Sequence, residues 1–168
     1  MRNSIKIKTE DYNFKFRVSG IVIRNNKILL VDMDESGFWC PPGGHVELGE
    51  TTKEAIRREL VEEIGKDVMI KKYLGVVENY FINKFSKKIH EISFYYLFDF
   101  TSRDIEEYNF TLIENDKGNN IKLDFKWINI DELDQFDIKP SFLKGLLKNK
   151  KLEFNHFVFN ELIDKEDA

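Results

Sequence analysis

A chain of 168 residues, 42% hydrophobic and 33% charged, has enough apolar surface for one core and little room for a second domain. Its 26 basic and 30 acidic residues leave a net charge of -4, which excludes the basic footprint needed to grip duplex nucleic acid but permits a local cation site for a small phosphorylated ligand. The lone cysteine, Cys40, has no partner for an intrachain disulfide, the N-terminal stretch MRNSIKIKTEDYNFKF lacks the apolar run of a signal peptide, and no segment reaches membrane-spanning length. The expectation is a soluble, cytoplasmic protein that starts at Met1.

From Phe16 to Met33 the pattern predicts strand, turn, strand: FRVSGIVIR, then Asn25-Asn26 suited to positive φ, then KILLVDM as the second arm of a hairpin. Gly20, in mid-strand, marks either a bulge or a place where something approaches the backbone. Asp34 to Gly49 is turn-rich, and the run Trp39-Cys40-Pro41-Pro42-Gly43-Gly44 within it excludes regular helix and favours a rigid, shaped loop. A helix follows. Thr51 and Glu54 form a T-x-x-E capping box, Ile56, Leu60 and Ile64 make an apolar stripe, and Gly65 is suited to the C-cap.

Val68 to Tyr80 and His90 to Phe100 read as strands rich in aromatic and branched residues, with Phe125 to Ile130 a shorter one. Asn83 to Lys88 and Thr101 to Asn120 read as polar connections, the second carrying a turn signal from Asn115 to Asn120. After Pro140, SFLKGLLKN supports a second helix, and the apolar stretch FNHFVFNELI precedes an acidic end. A mixed sheet with at least two helices is α/β or α+β, here as one domain over residues 1–168.

Glu59, Glu62 and Glu63 stand at i, i+3 and i+4 of the predicted helix, so three carboxylates project from neighbouring positions, and Glu50 precedes the cap at the same end. The like-charge pair Glu59 and Glu63 weakens the helix slightly unless a cation offsets it, and an all-oxygen set suits magnesium or manganese. Acidic helix faces are, however, usually solvated surface. Glu54 can pair with Arg58, and Glu62 with Lys66, in the favourable order.

The spacing of the whole segment weighs against that plain explanation. Gly44, Glu50, Arg58, Glu59, Glu62, Glu63 and Gly65 all fall on the fixed positions of the pattern GX5EX7REUXEEXGU, with U aliphatic. At a residue frequency of roughly 1 in 15, chance agreement at a given start is on the order of 10⁻⁸. The segment resembles the Nudix box. Its last aliphatic position is Lys66, a departure that touches the packing of the next strand, where Val68 can supply the contact.

The resemblance implies an α/β/α sandwich with a mixed sheet, and a metal-dependent hydrolase that cleaves a diphosphate bond in a nucleoside diphosphate derivative or a nucleoside triphosphate. It implies Glu59, Glu62 and Glu63 as ligands of Mg2+ or Mn2+, one carboxylate acting as base on water, and a backbone carbonyl near Gly43 or Gly44 as a further ligand. Arg58 would hold Glu50 or a ligand carboxylate through a bidentate ion pair, which its planar fork suits. Many family members add a carboxylate from outside the box, and the candidates here are Glu91, Glu114, Asp116 and Asp124.

On the substrate side, Gly43, His45 and Trp39 are candidate contacts, Trp39 as a stacking surface for a base. A lone loop histidine such as His45 fits ordinary packing equally well, and Cys40 has no neighbour to make it a nucleophile. The absence of proline between Pro42 and Pro140 speaks against ADP-ribose, whose hydrolases commonly carry one shortly after the box, while Tyr80 falls near where dinucleoside-polyphosphate enzymes place a tyrosine. The expected partner is a small nucleotide, with no polymeric nucleic acid, no membrane, and room for a homodimer. The alternative is a non-catalytic Nudix-like sensing or interaction domain; such domains usually show eroded carboxylates, whereas this box keeps all four.

Overall fold

The computed structural model describes residues 3–102, 109–116 and 118–162. The strands are β1 (Lys6–Lys8), β2 (Tyr12–Ile21), β3 (Ile23–Arg24), β4 (Lys27–Met33), β5 (Val68–Ile82), β6 (Lys88–Phe100), β7 (Phe110–Asp116), β8 (Asn119–Asn129) and β9 (Asn155–Asn160). Helix α1 (Thr52–Ile64) lies between β4 and β5, and a 3-10 helix (Ile130–Gln135) and α2 (Phe142–Lys148) lie between β8 and β9. The strands form a mixed sheet of order β1-β2-β6-β5-β9 and an antiparallel sheet of order β3-β4-β8-β7.

Side-chain alternation along β4 shows how the layers arise. Leu29 and Val31 join one core, with Ala55, Ile56 and Leu60 of α1, while Ile28 and Leu30 join a second, with Leu143 and Leu147 of α2. A strand buried on both faces cannot show the polar alternation of a half-exposed one, so KILLVDM reads as an unbroken apolar run. The sheets are therefore sandwiched between helices.

The predicted hairpin is only partly formed. Asn25 and Asn26 make the turn, at φ 46 and 61, but the pairing with β4 across it is short, Ile23↔Ile28 and Arg24↔Lys27 with a long Leu29 N–H bond to Val22 O at 3.3 Å. The preceding residues leave for the other sheet, where β2 runs parallel to β6 from Tyr12↔Lys88 to Ile21↔Leu97. Both halves of FRVSGIVIR are buried and branched, so nothing in the pattern marks the switch near Val22. Gly20 serves core packing: a Cβ there would meet the Phe98 ring at 3.0 Å and Leu60 at 3.1 Å.

The segment read as a connection from Thr101 to Asn120 contains β7, which pairs antiparallel with a β8 that begins well before Phe125. Its Asn115 to Asn120 run is the hairpin end, with Asn115 Oδ1 accepting the Gly118 N–H at 3.1 Å. β7 lies at the sheet edge and alternates polar with apolar residues, so its average composition looks like a loop. Residues 103–108 of that connection fall outside the described residues.

Helix α1 has both halves of its capping box, and Gly65 closes it at φ 69. Val68, 2% exposed, joins the core that holds Ile56, Leu60 and Ile64 of α1. Among the described residues no helix is long and apolar enough to cross a membrane.

Candidate active site

The Pro41–Gly44 loop is held as if it were another strand, on the part of the β2 edge beyond its pairing with β1. Gly20 N–H donates to Pro42 O at 2.8 Å, Val18 N–H to Gly44 O at 2.9 Å, and Val46 N–H to Phe16 O at 3.0 Å. The two glycines are needed because other groups crowd them. A Cβ on Gly43 would sit 2.2 Å from Val18 O, and one on Gly44 would sit 2.3 Å from the Glu59 carboxyl carbon.

That crowding brings helix α1 onto the loop. Gly43 N–H donates to Glu63 Oε2 at 2.9 Å. Arg58 donates through Nε and Nη2 to the two oxygens of Glu50 at 3.1 and 2.5 Å, through Nη1 to Glu59 Oε1 at 2.7 Å, and through Nη2 to the His45 carbonyl at 3.0 Å. A weaker contact at 3.4 Å joins Arg58 to Glu62. The Arg58–Glu50 pair thus has the fork geometry expected of it. Glu54 does not pair with Arg58: it turns back to cap Thr51, whose N–H and hydroxyl reach it at 2.8 Å, because the free end of the helix is the nearer source of donors.

The three glutamates of the helix do not form one solvated face. Glu63 is 4% exposed, and the side chains of Glu59 and Glu62 retain 13% and 26%. Burial first, and then the Glu59 charge, push the Glu63 carboxyl from the ordinary 4.5 up to about 8, against the Gly43 N–H and Arg17, which favour its charge. Burial likewise raises Glu59, with Arg58 opposing.

Stability therefore depends on pH in a definite direction. An unfolded Glu63 ionises near 4.5 and the folded one near 8, so between those values the folded chain holds a proton that the unfolded chain has lost. The metal-free protein should lose melting temperature as pH rises from about 5 to 8, with Glu59 acting in the same direction, and level off above. Scanning calorimetry across that range in chelator tests this; a melting temperature that climbs toward pH 8 would contradict it.

Two buried carboxyls that resist joint ionisation, close to the Gly43–Gly44 backbone, offer oxygen ligands of the kind a hard divalent cation takes. Among the described residues no three His, Cys, Asp or Glu side chains already converge as a finished ligand set. Arg58 engages Glu59 and Glu62, and Gly43 engages Glu63, so these side chains would have to turn from their present partners to take up an ion. The Gly44 carbonyl already accepts the Val18 N–H, which leaves it one lone pair.

Outside the box, Glu114 on β7 adds to the charge that Glu63 feels. Glu91 faces Arg17 at 3.7 Å, and Asp124 accepts from Thr111 at 2.6 Å and pairs with Lys122. The side chain of Asp116 falls outside the described residues. Trp39 packs edge-on against Phe136, with Lys126 Nζ 5.8 Å from its ring centre, at the wall of an open cleft that Phe110 and Thr111 also line. His45 contributes its backbone carbonyl to Arg58. Tyr80 stacks on His90 at 4.4 Å. Burial raises the Cys40 thiol to about 12, so it stays protonated.

Sequence reasoning missed Arg17, whose Nη2 donates to Gly43 O at 3.1 Å. Its only signal was a charge set between Phe16 and Val18 in a strand whose later residues are buried.

The family model of the NUDIX domain matches residues 14–149. An ADP-ribose pyrophosphatase of Methanocaldococcus jannaschii is 45% identical over 62 residues, covering 35% of this chain and 37% of that protein. The CTP pyrophosphohydrolase of Escherichia coli is 38% identical over 62 residues, covering 34% and 46%. The matches thus span less than half the length of these curated relatives. Among solved structures, a Nudix hydrolase from Nitrosomonas europaea shares the fold at a TM-score of 0.56 and 18% identity, covering 84% of this chain and 92% of that one. The match over residues 14–149 takes in the four-stranded sheet, β5, β6 and most of β2, α1 and the glycine loop, and with it the chain belongs to the Nudix family.

Proposed function

We propose that the protein is a metal-dependent hydrolase that cleaves a diphosphate bond in a nucleoside diphosphate derivative or a nucleoside triphosphate. The observation that carries this reading is the buried pair Glu59 and Glu63 pressed against Gly43 and Gly44, with Arg58 and Glu50 bracing them. Bound Mg2+ or Mn2+ would neutralise diphosphate oxygens and lower the pKa of water for attack on phosphorus. Glu59, Glu62 and Glu63, with the remaining lone pair of the Gly44 carbonyl, would hold the ion, and one of the carboxylates would accept the proton of the attacking water.

Arg58 does not touch the reacting atoms in this scheme. By gripping Glu50 with two nitrogens and Glu59 with the third, it fixes the direction in which Glu59 points. Glu50 is itself anchored by the Glu47 N–H at 2.7 Å, so the brace ends on backbone rather than in solvent. Trp39, at the wall of the cleft that Phe110 and Thr111 also line, would be a further substrate contact. Lone, protonated Cys40 requires no oxidising compartment, and we place the enzyme in the cytoplasm, acting as one domain on small nucleotides.

Exhaustive chelation is expected to abolish release of phosphate or nucleoside monophosphate from a nucleotide panel, by roughly a hundredfold or more, with recovery on adding Mg2+. Hydrolysis that survives chelation would refute the metal-dependent scheme.

A further inference from the structure

The sheet face that delivers Ile21, Leu74 and Tyr95 to the α2 core changes character along β2, β5 and β6. Ser19 and Ser93 share a hydrogen bond of 3.1 Å, and beyond them the register aligns Lys15 with Glu91 and Glu91 with Asn79. Register partners project to one face, and Arg17 lies two residues along from Lys15, so all four share it. This polar row is not solvated: Asn79 is 7% exposed and Glu91 is 8% exposed.

Nor is it satisfied from within. Among the described residues, Asn79 Oδ1 and Arg17 Nε are buried without a hydrogen-bond partner, and Arg17 meets Glu91 at 3.7 Å, beyond hydrogen-bond reach. Native interiors rarely leave polar atoms in that condition unless something else supplies the partner. An acceptor offered to Arg17 Nε and a donor offered to Asn79 Oδ1 would complete the row, and Glu91, paired with Arg17 at 3.7 Å, can take a second donor. The row's position relative to the glycine loop is fixed, because Arg17 also donates to Gly43 O, the residue whose N–H holds Glu63. On the far side, Phe159 and Phe157 are the register partners of Asn79 and Val77, which gives the row an aromatic wall.

We propose that Arg17, Glu91 and Asn79 read the base of the nucleotide, and that the base they fit is guanine. Guanine carries a ring N–H and an amino group side by side, as donors for Glu91 and Asn79, next to a carbonyl oxygen that accepts from Arg17. Adenine and cytosine place a ring-nitrogen acceptor where Glu91 needs a donor. Uracil has a single ring N–H. A ribose diol can donate to a carboxylate, but it is not planar and leaves the Phe157 and Phe159 wall unused. The assignment deepens the hydrolase reading, resting on it for the placement of the phosphate end near Gly43.

The test is calorimetric titration of the full chain, without metal, with GMP, AMP, CMP, UMP and ribose 5-phosphate. GMP should bind at least tenfold more tightly than AMP or CMP, with UMP between, and ribose 5-phosphate should bind most weakly. Glu91→Gln and Asn79→Leu should each reduce GMP affinity tenfold or more while leaving ribose 5-phosphate unchanged. Because Asn79→Leu removes a buried amide oxygen that has no partner among the described residues, its melting temperature should hold or rise, whereas a residue kept for the fold would lower it. Equal affinity for the four monophosphates, no binding of GMP, or ribose 5-phosphate binding as tightly as GMP overturns the assignment. A chain that hydrolyses nucleotides but shows no base preference loses this inference alone. One that prefers GMP yet hydrolyses nothing supports it and loses only the hydrolase reading.

Discussion

Glu63→Gln should cost turnover by a factor of roughly 10²–10⁴ while the metal-free protein becomes more stable, and the two effects share one cause. The carboxyl is 4% exposed, and burial and the Glu59 charge hold its pKa near 8, so ionising it in place is costly. Glutamine keeps the shape and can still accept the Gly43 N–H, yet it carries no charge. At pH 8 the gain should be on the order of 1–2 kcal/mol, a rise of a few degrees in melting temperature for a chain of this size. Glu59→Gln should behave similarly but with a smaller gain, because Arg58 already offsets its charge. Glu62, the most exposed of the three, should show the smallest change in stability. If the helix merely presented a solvated acidic face, all three variants would keep full turnover. Measuring kcat and KM against magnesium concentration, beside melting curves in chelator, separates the outcomes, and three fully active variants would remove this helix from the chemistry.

The box was legible because its residues answer to local geometry. A capping box, an apolar stripe and a closing glycine announce α1, and the spacing of Gly44, Glu50 and Arg58 fixes where loop and helix meet. The sheet was harder to read for a reason that is equally physical. A β-strand declares its own two faces but not its neighbours, so β2 and β3 look like one strand although they belong to different sheets. Edge strand β7 is short and half polar, and became visible only through its pairing with β8, where Phe110 stacks on Phe125 at 4.6 Å. Arg17, Glu91 and Asn79 belong to the same class of hidden information. Asn79 and Glu91 lie on the consecutive strands β5 and β6, but Arg17 comes from β2, far back in the sequence, and only the register sets the three on one face. The burial of Glu63 could not be read either, since an i, i+4 acidic pair looks the same whether it faces water or a glycine loop.

Alanine at Gly43 and at Gly44 should damage the protein in opposite ways. At Gly43 a Cβ would meet Val18 O at 2.2 Å and the Ser19 Cα at 2.9 Å, both backbone atoms of a strand fixed on its other edge by β6, and φ of +147 already disfavours any side chain. Neither side can yield without breaking the β2 ladder, so Gly43→Ala should lose on the order of 3 kcal/mol of stability or more. At Gly44 the obstacle is the Glu59 carboxyl at 2.3 Å, the far end of a flexible side chain. Glu59 can swing aside, and the fold should lose no more than about 1 kcal/mol. What changes is the direction of the carboxylate that Arg58 holds at 2.7 Å. If Glu59 binds the ion or activates water, displacing it by even an ångström should lower turnover by about 10²-fold while leaving the melting curve nearly unchanged. Denaturant titration and initial rates on the two variants, with Gly145→Ala of α2 as a control where no atom lies within 4 Å of the added carbon and φ is not positive, give the comparison. A Gly44→Ala protein that turns over at the wild-type rate would show that the place Glu59 occupies is irrelevant to catalysis, and would leave Glu62 and Glu63 to carry it without their neighbour.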